Sequence, residues 1–575
     1  MTRRPPLSSV LPTATVPPVS PSLAVPVPAP EPLSGVPPAL AASFRQARDW
    51  LAAQAPGAAL RCDSRRVIAG DVFLAFAAAP QFGIATDGRA FIADALARGA
   101  AAVLFDDQDY TWDAEATVPH LACPQLRRLA GPLARTHYGC ADRAMFAVAV
   151  TGTNGKTSCT QWLGAALSRS GAPTVVVGTF GAGMFEAGSS RGFDSTGYTT
   201  PDAVQLHAAL ARARADGATA LAIEASSIGL QQQRLAGLHL DVALFTNLSR
   251  DHLDYHGAMA AYEAAKTMLF DWPGLRHAVI NLDDPMGLRL LAHLRRSRPS
   301  LHLTGYTLVA ATATAQLAAL GPHGLCLHAS ELRGSHTGTQ FQLALTTASA
   351  TGGAPVPSQS VPSPSVPSQL VRSQLVGDFN VSNLLGVFGV LLARGLAPAD
   401  ALAALETLQP VPGRMQQLGA ADQPLVVIDY AHTPDALEKT LASLRRLAQA
   451  RDGALWCVFG CGGDRDPGKR AQMGAAAQAA DHVIVTSDNP RSEQPAAIIA
   501  DIVAGFAAAT PPQVIEDRAT AILWSLRHAA RADVILLAGK GHESTQEING
   551  RKLPFRDADH AALALAARAT MKGPA

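Results

Sequence analysis

A short apolar stretch, Phe146-Ala-Val-Ala-Val-Thr151, runs directly into the turn Gly152-Thr-Asn-Gly-Lys-Thr157. This order predicts a buried strand, a glycine-rich loop and a helix, the arrangement in which backbone N–H groups surround a polyphosphate. Lys156 would reach the terminal phosphate oxygens, and the Thr157 hydroxyl would bind a Mg²⁺ ion. The strict P-loop spacing needs a glycine where this chain has Val150. The loop is therefore a variant with two residues between its glycines.

Length and composition are those of a soluble multidomain enzyme. The 575 residues are too many for one core and predict roughly three or four domains. With 16% charged residues and a net charge of +1, nothing indicates a nucleic-acid partner. The seven scattered cysteines lack metal-ligand spacing and predict reduced thiols in the cytoplasm. No run approaches the roughly 18 apolar residues that span a bilayer, and no apolar segment of a signal peptide follows Arg3 and Arg4.

Two segments stand apart because they are rich in Pro, Ser and Val. Residues 5–40 and 350–370 both predict disordered or polyproline-like chain. The second lies between the strand-like residues 341–345 and 374–377. We therefore expect it to be an expanded hairpin loop that can be shortened.

Elsewhere apolar strands alternate with helical stretches, which predicts an α/β architecture with mainly parallel sheets. Polar groups follow many of these strands, at the carboxyl ends where open parallel sheets bind ligands. We therefore expect two sheets whose binding edges share a cleft. The polar groups begin at Glu224, Thr246, Asn281, Asp429, Gly460, Thr486 and Gly539.

Two of these positions suggest a metal site. Glu224 and His252 each lie just past a predicted strand and could join Thr157 and phosphate oxygens around Mg²⁺. Taken alone, His252 would more often be an ordinary loop histidine, and Lys266 a solvated helix lysine. The phosphate loop and the segment Asp251-His-Leu-Asp-Tyr-His-Gly257 favour the ligand role for His252.

Several ordered motifs together resemble the Mur ligase family. They are Gly-Thr-Asn-Gly-Lys-Thr at 152–157, Thr-Thr-Pro at 199–201, Asn-Leu-Ser-Arg-Asp-His-Leu-Asp-Tyr-His-Gly at 247–257, Tyr-Glu-Ala-Ala-Lys at 262–266, Gly-Asp-Phe-Asn-Val-Ser-Asn at 377–383, Val-Pro-Gly-Arg at 411–414 and Asp-Tyr-Ala-His-Thr-Pro-Asp at 429–435. The resemblance implies a three-domain ligase after a disordered extension at 1–40. Its parts would be a small N-terminal α/β UDP-binding domain (41–143), a central P-loop-type ATP-binding domain (144–411) and a C-terminal Rossmann-like domain (412–575).

The activity implied by the resemblance is ATP-dependent amide formation through an acyl phosphate. The enzyme would add meso-diaminopimelate to UDP-N-acetylmuramoyl-L-alanyl-D-glutamate in peptidoglycan precursor synthesis, as a cytoplasmic monomer that uses Mg²⁺. Asp488-Asn-Pro-Arg491 is the motif that accompanies diaminopimelate in this family. Arg491 can fork onto the second carboxylate of that amino acid, while Asp488 and Asn489 can accept from its ammonium. The same four residues also suit a plain type I turn, which would present these side chains.

Residue roles carried over from the family fall into four groups. The catalytic group is Lys156, Glu224, His252 and Lys266, and the metal group is Thr157, Glu224, His252 and Lys266 as an N6-carboxylysine (carbamate). ATP would contact Gly152, Thr153, Asn154, Gly155, Lys156, Thr157, Asn383, Arg414, Asp429 and His432. The UDP-sugar peptide would contact Ser64, Thr199, Thr200, Ser226, Gln232 and Arg234. Diaminopimelate would contact Arg465, Asp488, Asn489, Arg491, Gly539 and Glu543.

One position departs from the family, and several alternatives stay open. Ile228 stands where relatives commonly have histidine, so the contribution of that histidine is absent or replaced. Folylpolyglutamate synthase shares the ATP-binding half, and the D-Ala-D-Ala-adding and lysine-adding ligases share the wider pattern. The first domain and the 488–491 motif argue against the folate enzyme, the same motif argues against the D-Ala-D-Ala-adding ligase, and a lysine-adding ligase would differ at Arg491. A regulatory protein that has lost catalysis is disfavoured by the intact Lys156, Glu224, His252 and Lys266.

Overall fold

The computed structural model describes residues 38–335, 338–347, 366–420, 422–508 and 510–571. Most of the two segments predicted to be disordered therefore lies outside the described residues. The first sheet is parallel, in the order β1-β2-β3-β4. Its strands are β1 (Leu60–Arg61), β2 (Val72–Ala75), β3 (Ala102–Phe105) and β4 (His120–Ala122), and its helices are α1 (Pro38–Gln54), α2 (Ile92–Ala97) and α3 (Leu126–His137).

Helix α1 corrects the predicted boundary of the N-terminal extension. It begins at Pro38, so residues 38–40 are helical rather than disordered. Leu40, Phe44, Ala47 and Leu51 are buried and pack on the first sheet. The helix forms because these residues recur every three to four positions and bury one apolar stripe.

The central sheet has eleven strands in the order β15-β14-β13-β12-β11-β10-β5-β9-β6-β7-β8. The run from β13 to β6 is parallel, and antiparallel strands extend it at both ends. The strands are β5 (Phe146–Thr151), β6 (Thr174–Gly178), β7 (Gly181–Glu186), β8 (Ser189–Asp194), β9 (Ala220–Glu224), β10 (Val242–Phe245), β11 (His277–Asn281), β12 (His302–Thr307), β13 (Leu325–Ser335), β14 (Gly338–Thr347) and β15 (Val366–Ser373).

Helices cover both faces of this sheet. Along β5, Val148 and Val150 belong to one apolar core, while Ala147 and Ala149 belong to the core on the other face. Both faces of the strand are covered by protein, so it is apolar from Phe146 to Val150. The helices are α4 (Lys156–Arg169), α5 (Ala203–Ala215), α6 (Ser227–Gln231), α7 (Leu253–His256), α8 (Met259–Thr267), α9 (Pro285–Ser297), α10 (Ala310–Gln316), α11 (Asp378–Ala393) and α12 (Pro398–Glu406).

Strands β14 and β15 pair antiparallel, which confirms the predicted hairpin but shifts its second strand. That strand is Val366–Ser373 rather than residues 374–377, so residues 366–370 belong to a strand and not to the loop. Val371 is 1% exposed in the core beneath it. Residues 374–377 instead lead into α11, which begins at Asp378. Gly377, just before the helix, has a positive φ of 102°.

Shortening this hairpin is expected to leave the fold intact. Leu345 pairs with Val366, so the strand ends that bracket the insertion already lie side by side. Replacing residues 350–363 by a six-residue Gly-Ser linker should keep the thermal unfolding midpoint within about 2 °C. The entropic cost of closing a flexible loop changes only slowly with its length. A longer deletion that removes residues 366–370 is the control and should lower the midpoint clearly. Equal loss in both variants would contradict the prediction.

The third sheet has the order β16-β17-β21-β18-β19-β20, parallel except for β16. A two-stranded ribbon, β22 and β23, follows it. The strands are β16 (Gln416–Leu418), β17 (Leu425–Asp429), β18 (Leu455–Phe459), β19 (His482–Val485), β20 (Gln513–Val514), β21 (Val534–Ala538), β22 (Thr545–Ile548) and β23 (Arg551–Pro554). The helices are α13 (Pro434–Ala450), α14 (Arg470–Ala477), α15 (Pro495–Val503), α16 (Arg518–His528) and α17 (Asp557–Met571).

The parallel-rich α/β class predicted from the sequence is confirmed. The exact domain boundaries at 143/144 and 411/412 stay predictions. Within the described ranges, no helix combines the length and apolar character needed to cross a membrane.

Candidate active site

The glycine-rich loop between β5 and α4 is held against the end of β10. Thr153 N donates to the Asn247 carbonyl (2.8 Å), and Asn154 N donates to Asn247 Oδ1 (2.9 Å). A Cβ on Gly152 (φ 151°) would come within 1.9 Å of Thr246 Oγ1, and one on Gly155 (φ 86°) within 2.6 Å of Asn383 Oδ1. Both positions therefore require glycine, because backbone or side-chain atoms already fill the space.

A cavity of about 840 Å³ lies between the central and C-terminal sheets and takes lining residues from both. This confirms the shared cleft expected from the polar strand ends. The phosphate loop lies in its wall, together with most residues of the ATP and metal groups. Predicted residues that line it are Thr153, Asn154, Gly155, Lys156, Thr157, Thr199, Thr200, Glu224, Ser226, Arg234, His252, Lys266, Asn383, Arg414, Asp429, His432 and Arg465.

Lys156 folds back over the loop from the first turn of α4. Its Nζ donates to the Gly152 and Thr153 carbonyls, both at 2.8 Å. Burial lowers the pKa of Lys156, while Glu224 and Asp251 act in the opposite direction. A partly buried ammonium at the amino end of α4, where the first N–H groups have no partner within the helix, favours an anion in the loop.

Beside the loop, three oxygen-bearing side chains converge. Glu224 Oε2 accepts from Thr157 Oγ1 (3.1 Å) and Thr179 Oγ1 (3.2 Å), and Glu224 Oε1 accepts from Thr179 N (2.8 Å). These hard oxygen donors fit Mg²⁺, which usually takes one or two carboxylates and completes its shell with phosphate and water. Across the described part of the chain, no cluster of three His, Cys, Asp or Glu could hold a metal ion. A magnesium site here would therefore draw ligands from the substrate as well.

Lys266 on α8 lies directly behind the loop. It is 1% exposed, its Nζ donates to the Gly152 carbonyl at 2.8 Å, and it lies 4.3 Å from the centroid of the Tyr262 ring. Burial, with help from the nearby Lys156 charge, holds the pKa of Lys266 well below its ordinary value. A lowered pKa favours the neutral amine that carbamylation requires.

His252 and His432 meet at one carboxylate. Asp251 Oδ2 lies 3.5 Å from His252 Nε2 and 3.6 Å from His432 Nε2. Burial lowers the pKa of His252 to about 4, so its imidazole is neutral at pH 7. A neutral ring nitrogen is the form that binds a metal. Asp251 therefore contacts both His252, a predicted metal ligand, and His432, a predicted ATP-binding residue from the C-terminal part of the chain.

Arg414 connects the C-terminal sheet to the phosphate loop itself. Its Nη2 donates to Thr157 Oγ1 (3.3 Å), and its guanidinium lies 4.4 Å from the centroid of Tyr430. Asp429 anchors the same segment because its Oδ2 accepts from Met415 N at 2.8 Å. Asn383, another of the predicted ATP contacts, lies against Gly155 of the loop.

A further contact between the two sheets predicts a pH dependence of stability. His542 lies edge-on to Phe180 (4.6 Å) and 5.5 Å from Tyr430. Burial and the nearby Arg414 lower the pKa of His542 to about 3. An unfolded imidazole takes up its proton near pH 6.5. Unfolding therefore takes up a proton between about pH 6.5 and 3, and stability falls as the pH is lowered through that window.

Replacing His542 by phenylalanine removes this linkage and keeps the ring. We expect the thermal midpoint of the wild type to fall more steeply than that of His542→Phe between pH 7 and 4. Scanning fluorimetry across that range, with both proteins in the same buffers, measures the difference. Parallel curves would show that His542 is not the linked group.

Four of the predicted UDP-sugar residues form a hydrogen-bonded cluster, while the Thr199 hydroxyl lies 3.3 Å from that of Thr179. Thr200 Oγ1 lies 2.9 Å from Ser226 Oγ, Arg234 Nη1 donates to the Thr200 carbonyl (2.9 Å), and Arg234 Nη2 donates to Gln232 Oε1 (2.7 Å). Ser64 is buried at the start of a short turn in the N-terminal sheet region, away from the cavity lining. That region packs onto α5, whose Val204 belongs to its core.

The predicted diaminopimelate residues lie mostly outside the cavity lining. Of this described set, Arg465 lines the cavity, whereas Asp488, Asn489, Arg491, Gly539 and Glu543 do not. Asn489 Oδ1 already accepts from Glu547 N (2.9 Å), and Asn489 Nδ2 donates to Glu543 Oε2 (2.8 Å). Asn489 Oδ1 also accepts from Lys540 Nζ (3.1 Å), so Asn489 keeps one amide hydrogen and suits a donor role better than the predicted acceptor role.

The position of the expected histidine is occupied by a cavity-lining Ile228. A different histidine lies close by, because His256 Nε2 is 2.9 Å from the hydroxyl of Ser227, next to Ile228. Sequence reasoning also passed over Thr179 and Asp251. Thr179 directly follows β6, so the rule of polar strand ends could have found it. The contact of Asp251 with His432 depends on tertiary structure and left no signal.

Comparison with known proteins agrees with this geometry. Residues 150–391 match the family Mur ligase middle domain, and residues 413–541 match the family Mur ligase, glutamate ligase domain. The chain therefore belongs to the Mur ligase family.

Individual relatives carry a more specific name. A UDP-N-acetylmuramoyl-L-alanyl-D-glutamate--2,6-diaminopimelate ligase of Janthinobacterium sp. (strain Marseille) is 59% identical over 90% of this chain and 96% of its own. The ligase of that name from Ralstonia nicotianae is 50% identical over 92% and 97%. A solved structure with the same name has a TM-score of 0.57 and 35% identity, covering 89% of this chain and 95% of its own.

Proposed function

We propose that this chain is the ATP-dependent ligase that joins meso-diaminopimelate to UDP-N-acetylmuramoyl-L-alanyl-D-glutamate in peptidoglycan precursor synthesis. The observation that carries the proposal is the single cavity that brings the phosphate loop, Glu224 and the buried Lys266 together with Arg414 and Arg465 of the C-terminal sheet. The names of the relatives at 59% and 50% identity support the choice of substrates.

The reaction has two steps, and the residues serve mainly to position and neutralise charge. The side-chain carboxylate of D-glutamate attacks the γ-phosphorus of ATP, giving an acyl phosphate and ADP. The amine of diaminopimelate then attacks the acyl carbon, and the tetrahedral intermediate expels phosphate as the amine loses a proton. Lys156 and the loop N–H groups hold the phosphates, and Arg414, next to Thr157, neutralises charge as it develops.

Thr157, Glu224, His252 and a carbamate on Lys266 would hold Mg²⁺. Bound there, the ion would neutralise the phosphate oxygens that face the substrate carboxylate. The carbamate forms when the neutral Nζ of Lys266 bonds to the carbon of CO₂ and its proton passes to water. The depressed pKa and full burial of Lys266 support this assignment.

The UDP-sugar peptide and diaminopimelate would each reach beyond the cavity, to residues that do not line it. Ser64 would hold the uridine end, and Thr199, Thr200, Ser226, Gln232 and Arg234 the sugar and peptide. Arg465, Asp488, Asn489, Arg491, Gly539 and Glu543 would surround the far end of diaminopimelate, with Arg491 facing its second carboxylate. We further propose that the enzyme works in the cytoplasm as a monomer.

Phosphate release from ATP tests the proposal. With Mg²⁺ and UDP-N-acetylmuramoyl-L-alanyl-D-glutamate present, we expect turnover with meso-diaminopimelate and none with L-lysine or D-Ala-D-Ala. Lysine lacks the second carboxylate that Arg491 would bind, so that contact would be lost. Turnover with lysine would support the ligase activity but contradict the proposed diaminopimelate pocket. Turnover with none of the three would favour a folate-type ligase or a catalytically inactive protein.

A further inference from the structure

Lys540 is a buried lysine that no catalytic or binding assignment above uses. It lies two residues after the end of β21, and its side chain is 0% exposed. Its Nζ donates to Asn489 Oδ1 (3.1 Å), Glu543 Oε2 (3.0 Å) and the Thr545 carbonyl (2.9 Å). All three donors of the ammonium are therefore satisfied, as a buried cation requires.

The ammonium also offsets two acidic groups of the predicted amino-acid pocket. Glu543 lies at 3.0 Å and Asp488 Oδ1 at 3.9 Å. Asp488 is 7% exposed, and burial raises its pKa while Lys540 and Arg518 oppose that shift. Without Lys540, the buried Asp488 and the partly exposed Glu543 would lose a shared counter-charge.

Lys540 also fixes which way the Asn489 amide points. Asn489 Oδ1 accepts from Lys540 Nζ and from Glu547 N, and its Nδ2 donates to Glu543 Oε2. A flipped amide would set its NH₂ against two donors and its oxygen against a carboxylate. The buried ammonium therefore fixes the orientation of the Asn489 amide.

The same ammonium connects the pocket turn to the β22–β23 ribbon. Lys540 Nζ donates to the Thr545 carbonyl at the start of β22. The ribbon also binds the turn directly, because Arg491 N donates to the Glu547 carbonyl (3.0 Å) and Asn549 N donates to the Arg491 carbonyl (2.7 Å). Arg491 adopts φ 53°, so this turn needs external support to hold its shape. Lys540 lies where β21, the turn and the ribbon meet.

We propose that Lys540 is the positioning residue of the amino-acid pocket, holding Asn489 and Glu543 in the geometry that recognises the charged far end of the incoming diamino acid. This inference rests on the proposed function. Lys540 is fully buried and all its N–H groups are used, so it acts through its neighbours rather than on the substrate. Its loss should weaken recognition of the amino acid more than recognition of ATP or the nucleotide-sugar peptide.

Lys540→Met tests this, with the exposed ribbon residue Lys552→Met as the matched control. For Lys540→Met we expect KM for meso-diaminopimelate to rise about 10- to 100-fold, the cost of losing hydrogen bonds to a charged group. KM for ATP and for the UDP substrate should stay within about twofold, and the preference for diaminopimelate over L-lysine should shrink. Lys552→Met should match the wild type in all four quantities.

An unchanged KM for diaminopimelate, or an equal rise in all three KM values, would overturn the inference. If Lys540→Met does not fold, Lys540→Met/Glu543→Gln is compared with Glu543→Gln alone, because the double variant removes one buried charge of each sign. The double variant should then show the higher KM for diaminopimelate, and equal values would contradict the role of Lys540. Failure of the wild type to use diaminopimelate would instead overturn the proposed function.

Discussion

Replacing Lys266 with alanine is expected to reduce phosphate release by roughly three orders of magnitude, as when a charge-stabilising group is lost from an active site. Lys266 is buried behind the phosphate loop, with its Nζ 2.8 Å from the Gly152 carbonyl and its pKa well below the ordinary value. In our proposal its carbamate is an anion of the metal site. Alanine cannot form that anion, so magnesium and the γ-phosphate would lose a partner.

Short carboxylic acids such as formate or acetate should restore part of the activity of Lys266→Ala, because the shortened side chain leaves room for a free carboxylate. Turnover is followed by phosphate release over a range of acid concentrations. Lys552→Ala, which changes an exposed lysine, is the control and should behave as the wild type. If Lys266→Ala stays folded and binds ATP but shows no rescue, the carbamate assignment is wrong.

Lys156→Met is expected to lower kcat/KM for ATP by about 10²- to 10³-fold, the usual cost of one charge-stabilising group. Its ammonium lies over the loop, 2.8 Å from the Gly152 and Thr153 carbonyls, where the phosphates would bind. Methionine keeps the chain length but supplies no charge. Steady-state kinetics with varied ATP, together with ATP binding by calorimetry, measures the loss.

Lys439→Met provides the comparison for Lys156. Lys439 lines the same cavity, but it is half exposed and pairs with Asp435 one helical turn away. Such an exposed pair contributes little, so its loss should change kcat/KM for ATP by less than about threefold. Similar losses in both variants would mean that general charge in the cleft, rather than a specific phosphate contact, explains the effect.

Local patterns predicted much of the fold. Val534–Ala538 and Leu455–Phe459 are apolar at every position, and both form the buried parallel strands expected of them. The shift of the hairpin strand to Val366–Ser373 was not predictable in this way. This segment begins in a Ser- and Pro-rich stretch, yet it forms a strand that buries Val371 in the core. Burial of this segment in the folded protein therefore outweighed its composition, which predicts disorder.

The sequence by itself determined the phosphate loop, its glycines and the polar strand ends, because these depend on neighbours along the chain. Tertiary structure decided how those ends combine: that Asp251 contacts both His252 and His432, and that Arg414 reaches Thr157. It also decided that Lys540 is buried against Asn489 and Glu543 rather than solvated. Charges and hydrogen bonds between distant segments depend on distance in space, and spacing along the chain does not encode that distance.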